Sequence, residues 1–175
     1  MAKSVDSRVL AKLLVAGAAM TVVGCGIADF DVEQSIPAQT IQGSGVPAPL
    51  ATIFPIPLNI DLDSKIKAKE TGPIDGVTLS SLTLQITSSG GDWSFVDSVD
   101  VFIASTKSGS TLPKVKIASV SAPGAVRTLK FNVEGGVNLK PYVDEGSRVD
   151  SSGSGRQPTT DVTFDGKAVF TVHPL

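Results

Sequence analysis

The 175-residue chain contains one cysteine, one histidine, one tryptophan and one tyrosine. A single cysteine excludes an intrachain disulfide framework and a thiolate-rich zinc cluster. A single histidine excludes a two-histidine metal site and leaves one imidazole for acid–base work. Basic residues do not predominate: 15 Lys and Arg stand against 17 Asp and Glu, a formal charge of −2. The basic stripe expected of a nucleic-acid binder is therefore missing. Leu13 to Val23 is an uncharged run of eleven residues, too short for a spanning helix, which needs about 20. The length suits one domain, with little room for a second.

That uncharged run has a context. Lys3, Arg8 and Lys12, diluted only by Asp6, precede it, and Gly24-Cys25 follows it. A basic start, a short apolar core and small residues form the pattern of an export signal, which is excluded from fold reasoning. The only cysteine of the chain sits where cleavage should fall. Val22-Val23-Gly24-Cys25 resembles the lipobox of bacterial lipoproteins, with Val22 in place of the commoner Leu. The resemblance covers residues 1–25 only. It implies cleavage before Cys25, a diacylglycerol thioether on its sulfur and an acyl group of the palmitate kind on the new amino terminus. No other cofactor is implied. Two or three acyl chains, at about 0.8 kcal/mol per buried methylene, make a lasting membrane anchor. Gly26 rather than Asp follows the cysteine, and the family's sorting rule then points to the outer membrane.

The expected organisation is a signal peptide over 1–24, a lipidated Cys25 with a Pro/Gln/Gly-rich tether over 25–51, and a β-domain over 52–175. Cleavage leaves 151 residues with a net charge of −4, and 16 Val, 11 Ile and 13 Thr against 10 Leu, 10 Ala and 4 Glu. Strand formers are abundant and helix formers scarce. Pro37, Pro47, Pro49, Pro55 and Pro57 punctuate the stretch after the cysteine, which suits extended chain better than helix or central strand. Ile53 to Ile60 is apolar enough for an edge strand beginning near Thr52. Gly43-Ser44-Gly45 matches a dinucleotide-binding fingerprint in form only, because Pro47 and Pro49 block the helix that motif must open. A short helix is expected at Asp63–Glu70, stopped by Gly72-Pro73.

Beyond it, apolar alternation takes over. Val77 and Leu79 share one face, and after Ser80-Ser81 the phase slips to Leu82, Leu84 and Ile86, as at a β-bulge. Trp93, Phe95, Val99, Val101 and Ile103 read as one long strand, interrupted at Asp97. Val115 and Ile117 mark another, and Leu129, Phe131 and Val133 a third after a Pro123-Gly124 turn. Asn138 to Tyr142 suits a single helical turn capped by Asn138. Asp165-Gly166 invites a hairpin, but a straight strand puts Val162, Phe164, Ala168, Phe170 and Val172 on one face and buries more. The fold class expected is all-β: an antiparallel β-sandwich, possible in immunoglobulin-like form, with a small barrel as the alternative.

Sets of residues that carry chemistry are sparse. His173 lies near the C-terminus and reads as an exposed strand-end residue; no G-x-S-x-G elbow presents a serine, and Gly166-Lys167 lacks the upstream glycine of a P-loop. Trp93, beside a Gly-Gly turn, is either a sugar-stacking platform or a residue packed under a sheet edge. Asp144, Glu145, Arg148, Asp150 and Arg156 belong to an expected loop of about eighteen residues ending at Asp161, a length that is usually functional or disordered, and they form the candidate interaction surface. Asp144, Glu145, Asp150 and Asp161 are weak candidates for calcium; no EF-hand spacing is present, and no metal is expected. The function expected is noncatalytic: a membrane-anchored envelope lipoprotein whose β-domain serves a structural or interaction role toward an envelope protein or glycan, and not toward nucleic acid. A calcium- or carbohydrate-binding adhesin and an envelope hydrolase are the rivals.

Overall fold

A computed structural model describes residues 28–44 and 72–175. The export signal, Cys25, the expected edge strand after Thr52 and the expected helix at Asp63–Glu70 lie outside the described residues. Among the described residues eight strands form two four-stranded antiparallel sheets: β1 (Phe30–Ile41), β2 (Ile74–Ile86), β3 (Val96–Ser105), β4 (Val115–Ser121), β5 (Thr128–Lys130), β6 (Asn132–Val133), β7 (Ser147–Gly155) and β8 (Val162–Pro174). Their order is β1-β8-β2-β5 in the first sheet and β6-β4-β3-β7 in the second. This is an all-β sandwich. Its last strand lies between its first two, whereas immunoglobulin constant domains order their sheets ABED and CFG.

Most inward faces follow the apolar alternation. β8 runs unbroken through Asp165-Gly166, and Val162, Phe164, Ala168, Phe170 and Val172 are all buried. A Cβ at Gly166 would lie 2.5 Å from the Thr83 carbonyl oxygen. The glycine thus lets β2 pass close enough for β8 to stay straight where a hairpin was conceivable. The slip expected at Ser80-Ser81 is a register shift between Leu79 and Ser81 against β8.

Other segments differ from the sequence reading, each for a physical reason. Trp93–Phe95 is a 3-10 turn rather than strand, with Asp92 as its cap; β3 starts only at Val96, and its pairing with β7 shifts at Asp97. Leu129, Phe131 and Val133 do not share one strand. β5 pairs with β2 and β6 with β4, so the chain steps between sheets at Phe131. Three inward side chains serve both layers by crossing at their edge. The helical turn is Lys140–Glu145, one residue later than a turn started by Asn138, although Asn138 Oδ1 still accepts from Lys140 N at 3.0 Å and from Val77 N at 3.2 Å.

Two expectations need larger correction. Residues 30–41, assigned to the tether, form β1 and pair along most of their length with β8. Val32, Ile36 and Ile41 are buried in the common core. Pro37 falls within the register shift between Ile36 and Gln39, where its missing N–H costs no ladder bond. The sheet therefore begins 22 residues before the expected boundary at 52. The expected loop after Asp144 is also structured: Ser147–Gly155 is β7, paired with β3 from Ser105↔Ser147 to Val96↔Gly155. Its serines and glycines are held by the backbone ladder and by a Ser98–Ser154 hydroxyl contact at 2.7 Å, so it carries no apolar alternation for a sequence reading to find.

Two ends follow from this topology. At the Phe30 end lie the starts of β1 and β2, the 106–114 loop and the helix; at the Ile41 end lie the 87–92 turn and the 156–161 connection.

Candidate functional site

The Ile41 end holds a cleft of about 450 Å³ between the 91–95 segment and the 156–162 segment, with Phe95, Pro158 and Val162 among its lining residues. One wall starts at Trp93, which is fully buried. Its indole stacks on Phe95 with centroids 5.7 Å apart, meets Phe164 edge-on at 5.4 Å, and donates from Nε1 to the Arg127 carbonyl at 3.1 Å. Of the two readings of Trp93, packing beneath the sheet edge is the one observed. The Arg127 guanidinium donates to the carbonyls of Ile86, Ser88 and Gly91 at 3.0, 2.6 and 3.2 Å. One planar fork thereby fixes the turn that leads into the wall. Asp92 Oδ1 accepts from Ser94 N at 3.0 Å, and hydrogen bonds from the Ser94 hydroxyl and backbone N–H hold its carboxyl below the usual range.

The facing wall leaves β7 at Gly155. Its φ of 145° is a glycine conformation, and a Cβ there would sit 2.3 Å from the Phe95 carbonyl oxygen. This close approach lets Arg156 N donate to that same oxygen at 2.8 Å, tying the two walls together. Three contacts brace the wall from β1's end: Gln157 Nε2 to the Gln42 carbonyl at 2.8 Å, Ser44 N to the Pro158 carbonyl at 3.1 Å, and Gly43 N to Asp161 Oδ1 at 2.9 Å. The Arg156 side chain is exposed on the rim, with no hydrogen bond or ion pair among the described residues. The result is a braced hollow with buried apolar side chains, threonine hydroxyls, a carboxylate and a guanidinium that no described residue engages. It can hold a ligand by shape, apolar contact and one charge-assisted contact, and the described residues that line it include no nucleophile–base pair.

The residues expected to act together are separated. Of the candidate interaction set only Arg156 lines the cleft. Glu145, at the Phe30 end, accepts from Ser105 Oγ at 2.9 Å, Ser110 Oγ at 2.6 Å and Lys107 Nζ at 3.4 Å. Those hydroxyl bonds, Ser110 first, hold its carboxyl below the usual range, with Lys107 adding to them. Asp144 pairs with Lys140, and Asp150 pairs with Lys114 at 3.0 Å and Arg148 at 3.6 Å. As weak metal candidates the four carboxylates are not gathered: Asp161 lies at the other end of the sandwich from Asp144 and Glu145. No three metal-ligating side chains cluster among the described residues.

One arrangement went unread in the sequence. His173, expected to be an exposed strand-end residue, is about one-third exposed, with Nδ1 2.9 Å from Asp29 Oδ2 and Nε2 3.1 Å from Thr78 Oγ1. An Asp–imidazole–hydroxyl line is how a triad orients its base, but this one runs across the outward face of β1, β8 and β2. It clamps the start of the first strand to the sheet. Only the alternation of β8 hinted at it, by placing His173 opposite the buried face.

Neither a family model nor a curated protein matches the chain. Among solved structures, a chain described as Desmodium yellow mottle tymovirus aligns over 98% of this chain and 97% of that one, at 12% identity and a TM-score of 0.18. Similarity at that level carries no argument about fold or function.

Proposed function

We propose that this protein is a bacterial envelope lipoprotein, held in the outer membrane by lipid on Cys25, whose β-sandwich is a noncatalytic interaction module. The observation that carries the anchoring is the joint pattern of basic start, eleven-residue apolar core and Val22-Val23-Gly24 before the only cysteine. The interaction role rests on the cleft, where among the described residues Arg156 is the one lining cation and its side chain has no partner. Rigid sandwiches display binding groups on the connections at their ends, and a concave site that sets polar groups around apolar side chains can orient a ligand. The partner is an envelope protein or glycan bearing an anionic group that meets Arg156.

Labelled fatty acid tests the anchor: it should enter the native chain and not Cys25→Ser. A photo-crosslinker placed at Thr159 should trap one partner in intact cells, and Arg156→Glu should abolish the adduct while leaving the fold intact. A second reading, an envelope hydrolase, has the Asp29–His173–Thr78 line in its favour. An ester- or amide-cleaving activity lost in both His173→Gln and Thr78→Val would support it over the first.

A further inference from the structure

The sheet begins far closer to the cysteine than the tether reading allowed. A tether of 27 residues from 25 to 51 could reach about 90 Å at full extension. Instead, Asp29 is already bound to His173, and Phe30 is paired with Val172. Three residues, Gly26 to Ala28, separate Cys25 from Asp29, and the four chain steps between them span at most about 14 Å. The Phe30 end is therefore leashed to whatever surface holds Cys25. We infer that the sandwich stands end-on against the bilayer that anchors it, Phe30 end down, with the cleft facing away. This deepens the proposed function and rests on its lipidated Cys25.

A short leash alone permits a second pose, in which the domain lies along its β1 edge. Charge argues against that pose. Asp29, just before β1, and Asp31 and Glu33 on it are exposed and alternate along this edge. Against these three carboxylates the described residues set the Lys167 ammonium, 3.0 Å from Glu33, and the His173 imidazole, 2.9 Å from Asp29. Anionic headgroups attract basic segments and repel a row of carboxylates, so this edge has no electrostatic reason to settle on lipid. β1 also runs away from its own start toward Ile41, and β8 beside it has thirteen residues, about 40 Å of strand. Upright, the cleft sits about that far above the headgroups. It then meets partners in the aqueous compartment and not lipids of its own membrane.

Because lipid occupies Cys25, a cysteine added elsewhere is the only free thiol and takes a single fluorophore. Asp75→Cys, on β2, marks the Phe30 end and Ser89→Cys, in the turn after β2, the Ile41 end; both positions are exposed. The full-length lipidated variants, confirmed folded by circular dichroism, are reconstituted in phosphatidylethanolamine/phosphatidylglycerol vesicles carrying headgroup-labelled nitroxide lipid. Severalfold stronger quenching at Asp75→Cys than at Ser89→Cys is expected. Inserting twelve Gly/Ser residues between Ile27 and Ala28 should erase the difference while the protein stays on the vesicles. Equal quenching at both positions without the insert, or at neither, overturns the upright pose with the anchor intact. Protein that carries no acyl group and does not float with vesicles overturns the lipoprotein reading itself, and the pose falls with it.

Discussion

The two ends of this sandwich are built from similar residues and use them in opposite ways. At the Phe30 end polar groups close on each other. Glu145 gathers Ser105, Ser110 and Lys107, and those two serines in turn accept from the backbone N–H groups of Lys107 and Leu112, each at 3.1 Å. His173 meanwhile joins Asp29 to Thr78. At the Ile41 end the polar bonds brace two walls from behind, and among the described residues none fills the hollow between them or pairs with the Arg156 side chain on its rim. Self-satisfied polar groups make a stable surface with little left to offer a ligand. A braced hollow keeps its binding capacity because its own bonds do not fill it.

Core truncation should strike both ends at once. Phe170 is fully buried at the centre of β8, so Phe170→Ala should cost about 3–5 kcal/mol. Thr171→Ala, on the outward face, should cost about 1 kcal/mol or less. Equal losses by chemical denaturation would mean that the faces of β8 are misassigned. Gly155→Ala should act at the cleft end alone, through its φ and its approach to the Phe95 carbonyl, at about 1–3 kcal/mol. Amide exchange should then accelerate in the two cleft walls, at 91–95 and 156–160, and not at 105–112. Arg127→Ala removes one donor from each of three carbonyls, of which Ile86 keeps Gln85 Nε2 at 3.2 Å, and should cost about 1–2 kcal/mol, with faster exchange confined to the 86–92 turn.

At the closed end, Glu145→Gln should lower the melting temperature at neutral pH. Because the folded state depresses the Glu145 carboxyl, its contribution is present above the ordinary carboxylate pKa of about 4. It fades as pH falls through the lower folded value. The melting curves of native protein and variant should therefore converge as the pH drops below about 4. A difference that persists there would show that the effect is not the charge. Arg156→Glu should have the smallest effect on stability, within about 0.5 kcal/mol, while eliminating the crosslinked partner. A clear loss of stability would mean that Arg156 serves the fold.

Much of the architecture was legible because burial writes itself into alternation. β2 with its bulge and the straight β8 carry large apolar side chains on one face, and the outward face is polar. Where the ladder does not depend on apolar side chains, the signal vanishes. β7 is Ser-Arg-Val-Asp-Ser-Ser-Gly-Ser-Gly, and nothing in those residues distinguishes an edge strand from a loop. β1 was hidden differently: only Val32, Ile36 and Ile41 are buried in it, and its Pro37 sits beside prolines that suggest a tether. The cleft was half visible. Arg156 stood out as charge in a Ser/Gly-rich stretch, but its partner wall at Asp92 to Phe95 lies more than 60 residues away in sequence. Only the pairing of β3 with β7 brings the two together. Glu145 resembled a binding residue for the same reason, since a carboxylate that anchors a loop and one that awaits a ligand look alike in a sequence.

The proposed anchor at Cys25 is reached directly by one measurement: the intact mass of the native protein extracted from membranes. The predicted mass is that of a chain beginning at Cys25 plus a diacylglyceryl group and one further acyl chain, with both methionines gone. A chain that still carries residues 1–24, or one cut elsewhere with an unmodified thiol, would contradict it.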